Sequence, residues 1–183
     1  MAINHRPRVG ELLECDFGQW ADPETVNGHI KPEMIKKRLV VVLNGDIDGK
    51  GAVVVPISST KAYGRIATFH QYLPPELIQE TSFYEKRDRW AKAEHTHFIS
   101  TKRLYYIFNN GKKLTQKLPN DVVTEIQKKV LIAVSGKRIL DTMQQEIDQL
   151  NQLKERLNKI LDTMQQEIKD RKSTRLNSSH ITR

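Results

Sequence analysis

The sequence predicts an α+β protein: a small, strongly twisted antiparallel β-barrel closed by one helix, with a further helix appended C-terminally. Three observations predict it. Short β-branched or apolar runs recur between residues 11 and 108, turn residues separate them, and a sustained helical pattern begins only after Pro119.

Glu11–Phe17 (ELLECDF) reads as the first strand, followed by a long loop with Pro23, Gly28 and Pro32. Lys37–Leu43 (KRLVVVL) and Ala52–Ile57 (AVVVPI) are apolar enough to be buried on both faces. Between them, the Asn44-Gly45 and Asp48-Gly49 steps tolerate the positive φ that tight hairpin turns require. Arg65–Leu73, Arg89–Ile99 and Leu104–Phe108 supply three more strands, and Asn109–Gly111 is another turn. Pro119 and Asn120 start the closing helix, where a missing backbone N–H costs nothing; Val123, Ile126, Val130 and Ala133 or Val134 then share one face.

Composition narrows the function classes. One Cys, Cys15, excludes an internal disulfide and points to a reducing compartment. No apolar run approaches 18 residues, which excludes a membrane-spanning helix, and Met1–Gly10 lacks the apolar stretch of a signal peptide. The net charge of +8 over 183 residues is unevenly placed. Residues 1–136 hold 20 basic and 15 acidic side chains, residues 137–169 hold 6 of each, and residues 170–183 hold 4 and 1. A modest basic bias in the first segment suits a polyanionic partner.

The second segment repeats itself. ILDTMQQEI occurs at Ile139–Ile147 and again at Ile160–Ile168, 21 residues on. Met143, Ile147, Leu150, Leu157, Leu161, Met164 and Ile168 form a stripe at heptad spacing, with Lys154 its one polar member. This predicts an amphipathic, coiled-coil-like extension over 137–169; a surface helix would carry the same stripe. Asp170–His180 (DRKSTRLNSSH) matches the frame translation of a common sequencing-library adapter, so 170–183 is set aside as a disordered scar.

Within Trp90–Phe98 (WAKAEHTHF), strand alternation places Lys92, Glu94 and Thr96 on one face and His95 and His97 on the other. A carboxylate and a cation two residues apart can serve one phosphate, one taking a proton and the other offsetting negative charge; a solvated strand face has the same pattern. Two histidines fall short of a zinc ligand set, so no metal is expected. Arg38 opens an apolar strand, and Ser58, Ser59 and Thr60 end its hairpin partner, so a guanidinium and hydroxyls can converge. P-loop, GxGxxG, HExxH and GxSxG patterns are absent.

The ordered set Val9–Phe17 (VGELLECDF), Ile30–Leu43 (IKPEMIKKRLVVVL), Gly51–Lys61 (GAVVVPISSTK), His70, Trp90–Glu94 (WAKAE), Ser100–Leu104 (STKRL) and the helix from Pro119 resembles the PemK/MazF family of toxin endoribonucleases. The resemblance covers residues 3–136. It implies an SH3-like barrel that dimerises, cleaves single-stranded RNA without metal or other cofactor, and is neutralised by a cognate antitoxin. It further implies that Arg38 stabilises the phosphorane or donates a proton, Ser58 binds the scissile phosphate, Glu94 is the base and Lys92 an adjacent cation. Ser59, Thr60, Lys61 and His70 are expected at the RNA, with base choice resting on loops such as Asp22–Ile30 and Lys61–Phe69. Two departures stand out: Leu39 follows Arg38 where Pro is usual, and Glu94 replaces Asp. They also fit a chain that has kept the fold and lost activity, and related barrels serve toxins that block a protein target such as gyrase.

Overall fold

The computed structural model describes residues 2–19, 33–135 and 138–180, without side chains over 172–180. Residues 20–32, including the expected base-choice segment Asp22–Ile30, lie outside the described residues. The described chain contains strands β1 (Leu12–Asp16), β2 (Lys37–Asn44), β3 (Gly51–Ser58), β4 (His70–Leu73), β5 (Arg89–Lys92), β6 (His97–Ser100), β7 (Leu104–Tyr105), β8 (Ile107–Asn109) and β9 (Lys112–Leu114). Helices α1 (Asn120–Ser135) and α2 (Arg138–His180) follow. The architecture is α+β: an antiparallel sheet in the order β4-β5-β3-β2-β1-β7, with β6 also on β3 and β8–β9 as a separate hairpin, curls into a half-barrel.

The central strands are apolar throughout because both of their faces are covered. Leu39, Val41 and Leu43 of β2 join Val55 and Ile57 of β3, Leu73, Ala91, Val123 and Ile126 in one buried cluster. The intervening Val40 and Val42 join Leu13, Cys15, Phe17, Ala52 and Val54 in another, on the opposite face. Each such Leu, Ile or Val contributes about 1.5–3 kcal/mol by leaving water. The hairpin loop is closed by its own polar side chains: Asn44 accepts from the Asp46 N–H at 2.9 Å, and Asp48 from the Lys50 and Gly51 N–H groups at 2.8 and 2.6 Å. Gly49, at φ 72°, supplies the left-handed residue that the Asp-Gly step anticipates.

Three expected strands are shorter or broken. In Arg65–Leu73, Gly64–Phe69 instead forms a 3-10 turn with no buried residue, and Thr68 Oγ1 donates to the Arg65 carbonyl at 2.7 Å, a local bond that competes with strand pairing. In Arg89–Ile99, Ala93–His95 is a 3-10 turn between β5 and β6. In Leu104–Phe108, Tyr106 separates β7 from β8; its hydroxyl donates to Asn4 Oδ1 at 2.5 Å and accepts from the Asn4 N–H at 3.2 Å, tying down the N-terminal segment.

Helix α1 packs on β4 and on the turns Gly64–Phe69 and Ala93–His95. Val123 and Ile126 are buried and Val130 packs partly against the core, whereas Val134 is 79% exposed, so Ala133 continues the inward face. The chain divides into compact units at Lys137/Arg138. In the second unit the stripe Met143, Ile147, Leu150, Leu157, Leu161, Met164 and Ile168 lies roughly half exposed along α2. Its backbone stays helical through His180, where composition predicts disorder; neither Gly nor Pro occurs after Gly136 to stop it.

Candidate active site

The site begins with how β2 is entered. Lys36 takes a left-handed φ of 65°, and its N–H donates to the Gly18 carbonyl at 2.7 Å. That reversal presents the Ile35 carbonyl to Arg38, whose Nε donates to it at 3.1 Å and so fixes the plane of the guanidinium. Leu39 occupies the position where the resemblance anticipates Pro; its side chain is 2% exposed in the core.

Ser58 ends β3 beside Arg38, since the register Val40↔Pro56 continued by two residues sets these two opposite. Its Oγ accepts from the Thr60 N–H at 3.1 Å, a small turn that also holds Thr60. Lys92 ends β5, which pairs with β3 through Ile57↔Ala91 and Ser58↔Trp90. Together Met34, Arg38, Pro56, Ile57, Ser58, Thr60 and Lys92 line a cleft of about 200 Å³. Two cations and two hydroxyls around a space of that size suit a tetrahedral oxyanion.

The remaining expected residues lie elsewhere. Ser59 and Lys61 adjoin the cleft without lining it, and Lys61 Nζ stands 6.0 Å from the centre of the Tyr63 ring. His70, expected at the RNA, is buried, with its side chain 2% exposed. It lies opposite Lys92 in the β4–β5 ladder, and its Nε2 meets Glu94 Oε1 at 2.6 Å. At the Ala93–His95 turn Glu94 leaves the strand alternation, and its carboxylate meets His70 instead of lining the cleft. Glu94 Oε2 and His70 Nδ1 are buried without hydrogen-bond partners among the described residues.

His95 shares this environment, at 3.8 Å from Glu94 Oε1. Burial holds its imidazole below the ordinary range; Glu94 pulls the other way, and Lys92, His97 and His70 add to the lowering. Burial pushes the Cys15 thiol up to about 12, against a lowering influence of Arg103 and with a small raising one of Asp16. Among the described residues no three His, Cys, Asp or Glu side chains cluster to hold a metal ion. A larger cavity, about 340 Å³, lies away from the expected residues; there His5 is committed to Glu11 at 2.9 Å and to the Tyr106 hydroxyl at 2.9 Å.

Sequence reasoning missed Met34 and Pro56 in the cleft wall, and the neighbouring pair Trp90 and Tyr72. Pro56 could have been found, because a proline inside an apolar run marks a place where the ladder lacks a donor. Met34 gave no signal, since it precedes β2 in an irregular segment.

The fold is a curled antiparallel sheet with C-terminal helices, of the α+β class, and it sets guanidinium, ammonium and hydroxyl groups around one small cleft. More particularly, the chain belongs to the PemK-like, MazF-like toxins of type II toxin-antitoxin systems, whose family model matches residues 8–134. It is similar to an uncharacterized protein of Haemophilus influenzae Rd, 49% identical over 138 residues, 75% of this chain and 96% of that protein. It is also similar to YifN, an uncharacterized protein of Escherichia coli K12, 38% identical over 144 residues, 74% of this chain and 97% of YifN. Among solved structures, the Mycobacterium tuberculosis toxin MazF-mt6 aligns at a TM-score of 0.40 and 14% identity, covering 56% of this chain and 90% of that one. Among the described residues no helix is long and apolar enough to cross a membrane.

Proposed function

We propose that this toxin is a metal-independent endoribonuclease that cuts single-stranded RNA by attack of a ribose 2′-oxygen on the adjacent phosphate. The products are a 2′,3′-cyclic phosphate and a free 5′-hydroxyl. The observation that carries this reading is the convergence of Arg38, Ser58, Thr60 and Lys92 on one cleft.

The chemistry divides among these groups. Ser58 and Thr60 hydrogen-bond the scissile phosphate, and Arg38, its plane fixed by the Ile35 carbonyl, stabilises the charge that grows on the phosphoryl oxygens. As the 2′-oxygen forms its bond to phosphorus, its proton passes to the Glu94 carboxylate, which has to rotate from its buried position beside His70 to reach the cleft. As the P–O5′ bond breaks, Lys92 supplies a proton to the departing oxygen. Oε1 is held by His70 while Oε2 has no competing partner among the described residues.

The same reading makes the protein a cytoplasmic homodimer, with a cognate antitoxin that covers the RNA cleft. Incubation of the purified chain with mixed-sequence single-stranded RNA in excess EDTA should yield fragments ending in cyclic phosphate. Intact RNA across all sequences tried would overturn the proposal.

A further inference from the structure

Next to the cleft, on the same face of the sheet, lies an aromatic surface that the phosphate chemistry does not use. In the ladders, Ser58 stands opposite Trp90, and Trp90 stands opposite Tyr72. Directly opposed residues of antiparallel strands share a face, with Cβ atoms about 4.5–5.5 Å apart. Arg38, Ser58, Trp90 and Tyr72 therefore form one row across β2, β3, β5 and β4, and Lys92 lies two residues along β5 from Trp90. Burial agrees: Arg89 and Ala91 face inward at 5% and 0% exposure, while Trp90 is partly exposed and Tyr72 is 46% exposed.

The two rings are fixed rather than free. Their centres lie 5.9 Å apart at 46°. The Tyr72 hydroxyl donates to Asp88 Oδ1 at 2.8 Å, which anchors the outer ring. Neither ring belongs to the buried clusters, so core packing does not account for an indole and a phenol side by side here. Asp88 sets a carboxylate at the far side of Tyr72, while Arg38 and Lys92 set cations at the near side. A polyanionic backbone is thus favoured at the cleft end of the row and disfavoured beyond Tyr72.

We propose that Trp90 and Tyr72 form a stacking platform for a nucleobase of single-stranded RNA next to the phosphate held by Arg38, Ser58 and Lys92. This rests on the ribonuclease reading. An aromatic face accepts any base, because every base offers a π-surface. The platform therefore supplies affinity and fixes the position of the strand, and leaves base choice to other parts of the site.

The test uses the full chain carrying Trp20→Phe, so that Trp90 is the sole tryptophan. The probes are a 2′-O-methyl RNA octamer, which lacks the attacking hydroxyl, and an abasic sugar-phosphate oligomer of equal length. The octamer should quench Trp90 emission saturably, and the abasic oligomer should bind more weakly and quench little. Trp90→Leu and Tyr72→Leu, each checked for unchanged thermal unfolding, should weaken octamer binding roughly 5- to 150-fold, and Trp90→Phe should restore most of it. Equal quenching by both probes, or unchanged octamer affinity in a folded Trp90→Leu variant of a chain that cleaves RNA, would overturn the platform alone. A chain that neither binds nor cleaves RNA overturns the ribonuclease reading and the platform with it.

Discussion

Replacing Glu94 separates a carboxylate that accepts a proton from one that only clasps His70. In Glu94→Gln the amide oxygen can still accept from His70 Nε2, so the 2.6 Å contact has a substitute while the basic oxygen is gone. In Glu94→Ala the acceptor itself is lost, leaving His70, whose side chain is 2% exposed, with an unmet polar atom. An orphaned buried group of this kind costs about 1–3 kcal/mol, which for a domain of this size lowers the melting temperature by about 4 °C per kcal/mol. A general base is typically worth about 10²–10⁴ in rate. The expected result is that Glu94→Gln melts within about 1 kcal/mol of the parent yet loses at least about 100-fold in kcat, while Glu94→Ala loses the same activity and melts lower by several degrees. The assay is single-turnover cleavage of a labelled RNA in EDTA, beside calorimetry. A Glu94→Gln variant that cleaves at the parental rate would refute the argument and leave Glu94 as a structural clasp.

Further outcomes follow from the same geometry. Arg38→Lys keeps a positive charge but loses the planar fork that bonds the Ile35 carbonyl, so kcat should fall about 100-fold with little change in melting temperature; parental kcat would count against Arg38 as the charge stabiliser. Cys15, with its thiol raised from 9.0 to about 12, should react with iodoacetamide at pH 8 roughly 1,000-fold more slowly in the folded protein than in urea, judged by thiolate fraction; equal rates would contradict its burial. His95 is held below its ordinary 6.5, so the unfolded chain binds a proton more readily than the folded one. Its contribution is complete above about pH 6.5 and is lost as pH falls through the lowered folded value, and His95→Gln should flatten the urea midpoint between pH 7.5 and 5. If α2 pairs through its apolar stripe, residues 1–169 should sediment as a larger assembly than residues 1–136, and equal masses would reject that role.

The parts of the fold that depend on local chemistry were legible in the sequence. The Asn-Gly and Asp-Gly steps mark the β2–β3 connection because their side chains and Gly49 satisfy it locally, and the unbroken apolar run of β2 announces a strand covered on both faces. Pro119 and the spacing of Val123 and Ile126 place α1 to within a residue. The breaks within strands were not legible: two are closed by short-range bonds of Thr68 and Thr96 that leave no mark on the hydrophobic pattern, and the third depends on a partner distant in sequence. Tyr106 ends β7 through bonds to Asn4, more than a hundred residues away. For the cleft, Arg38, Ser58 and Thr60 could be named because they lie at or just beyond strand ends that the hydrophobic pattern delimits, whereas Lys92 is marked by its spacing to Glu94 within a strand expected to run on to Ile99. The partnership of His70 and Glu94 could not, since it needs both the β4–β5 register and the turn after Lys92.

That turn is where fold and site meet. From Ile57↔Ala91 to Val54↔His97, β3 moves back three residues while its partner advances six. An unbroken antiparallel strand would match residue for residue, so three residues must be stored, and Ala93–His95 stores them as a 3-10 turn closed by the Thr96 N–H and hydroxyl on the Ala93 carbonyl at 3.2 and 2.6 Å. The break is tolerated beside Pro56, which has no N–H to lose from the ladder. With the strand continuous, Glu94 would project beside Lys92 and form an ordinary ion pair across the mouth of the cleft. The turn instead brings the carboxylate to His70, outside the cleft lining, and leaves Lys92 in the cleft with Arg38 and Ser58. Removing the stored residues should therefore damage site and fold together: a chain shortened by Ala93–His95 loses the Glu94 carboxylate that the proposed proton transfer uses, the partner of buried His70 and a turn on which α1 packs, so cleavage and melting temperature should fall together.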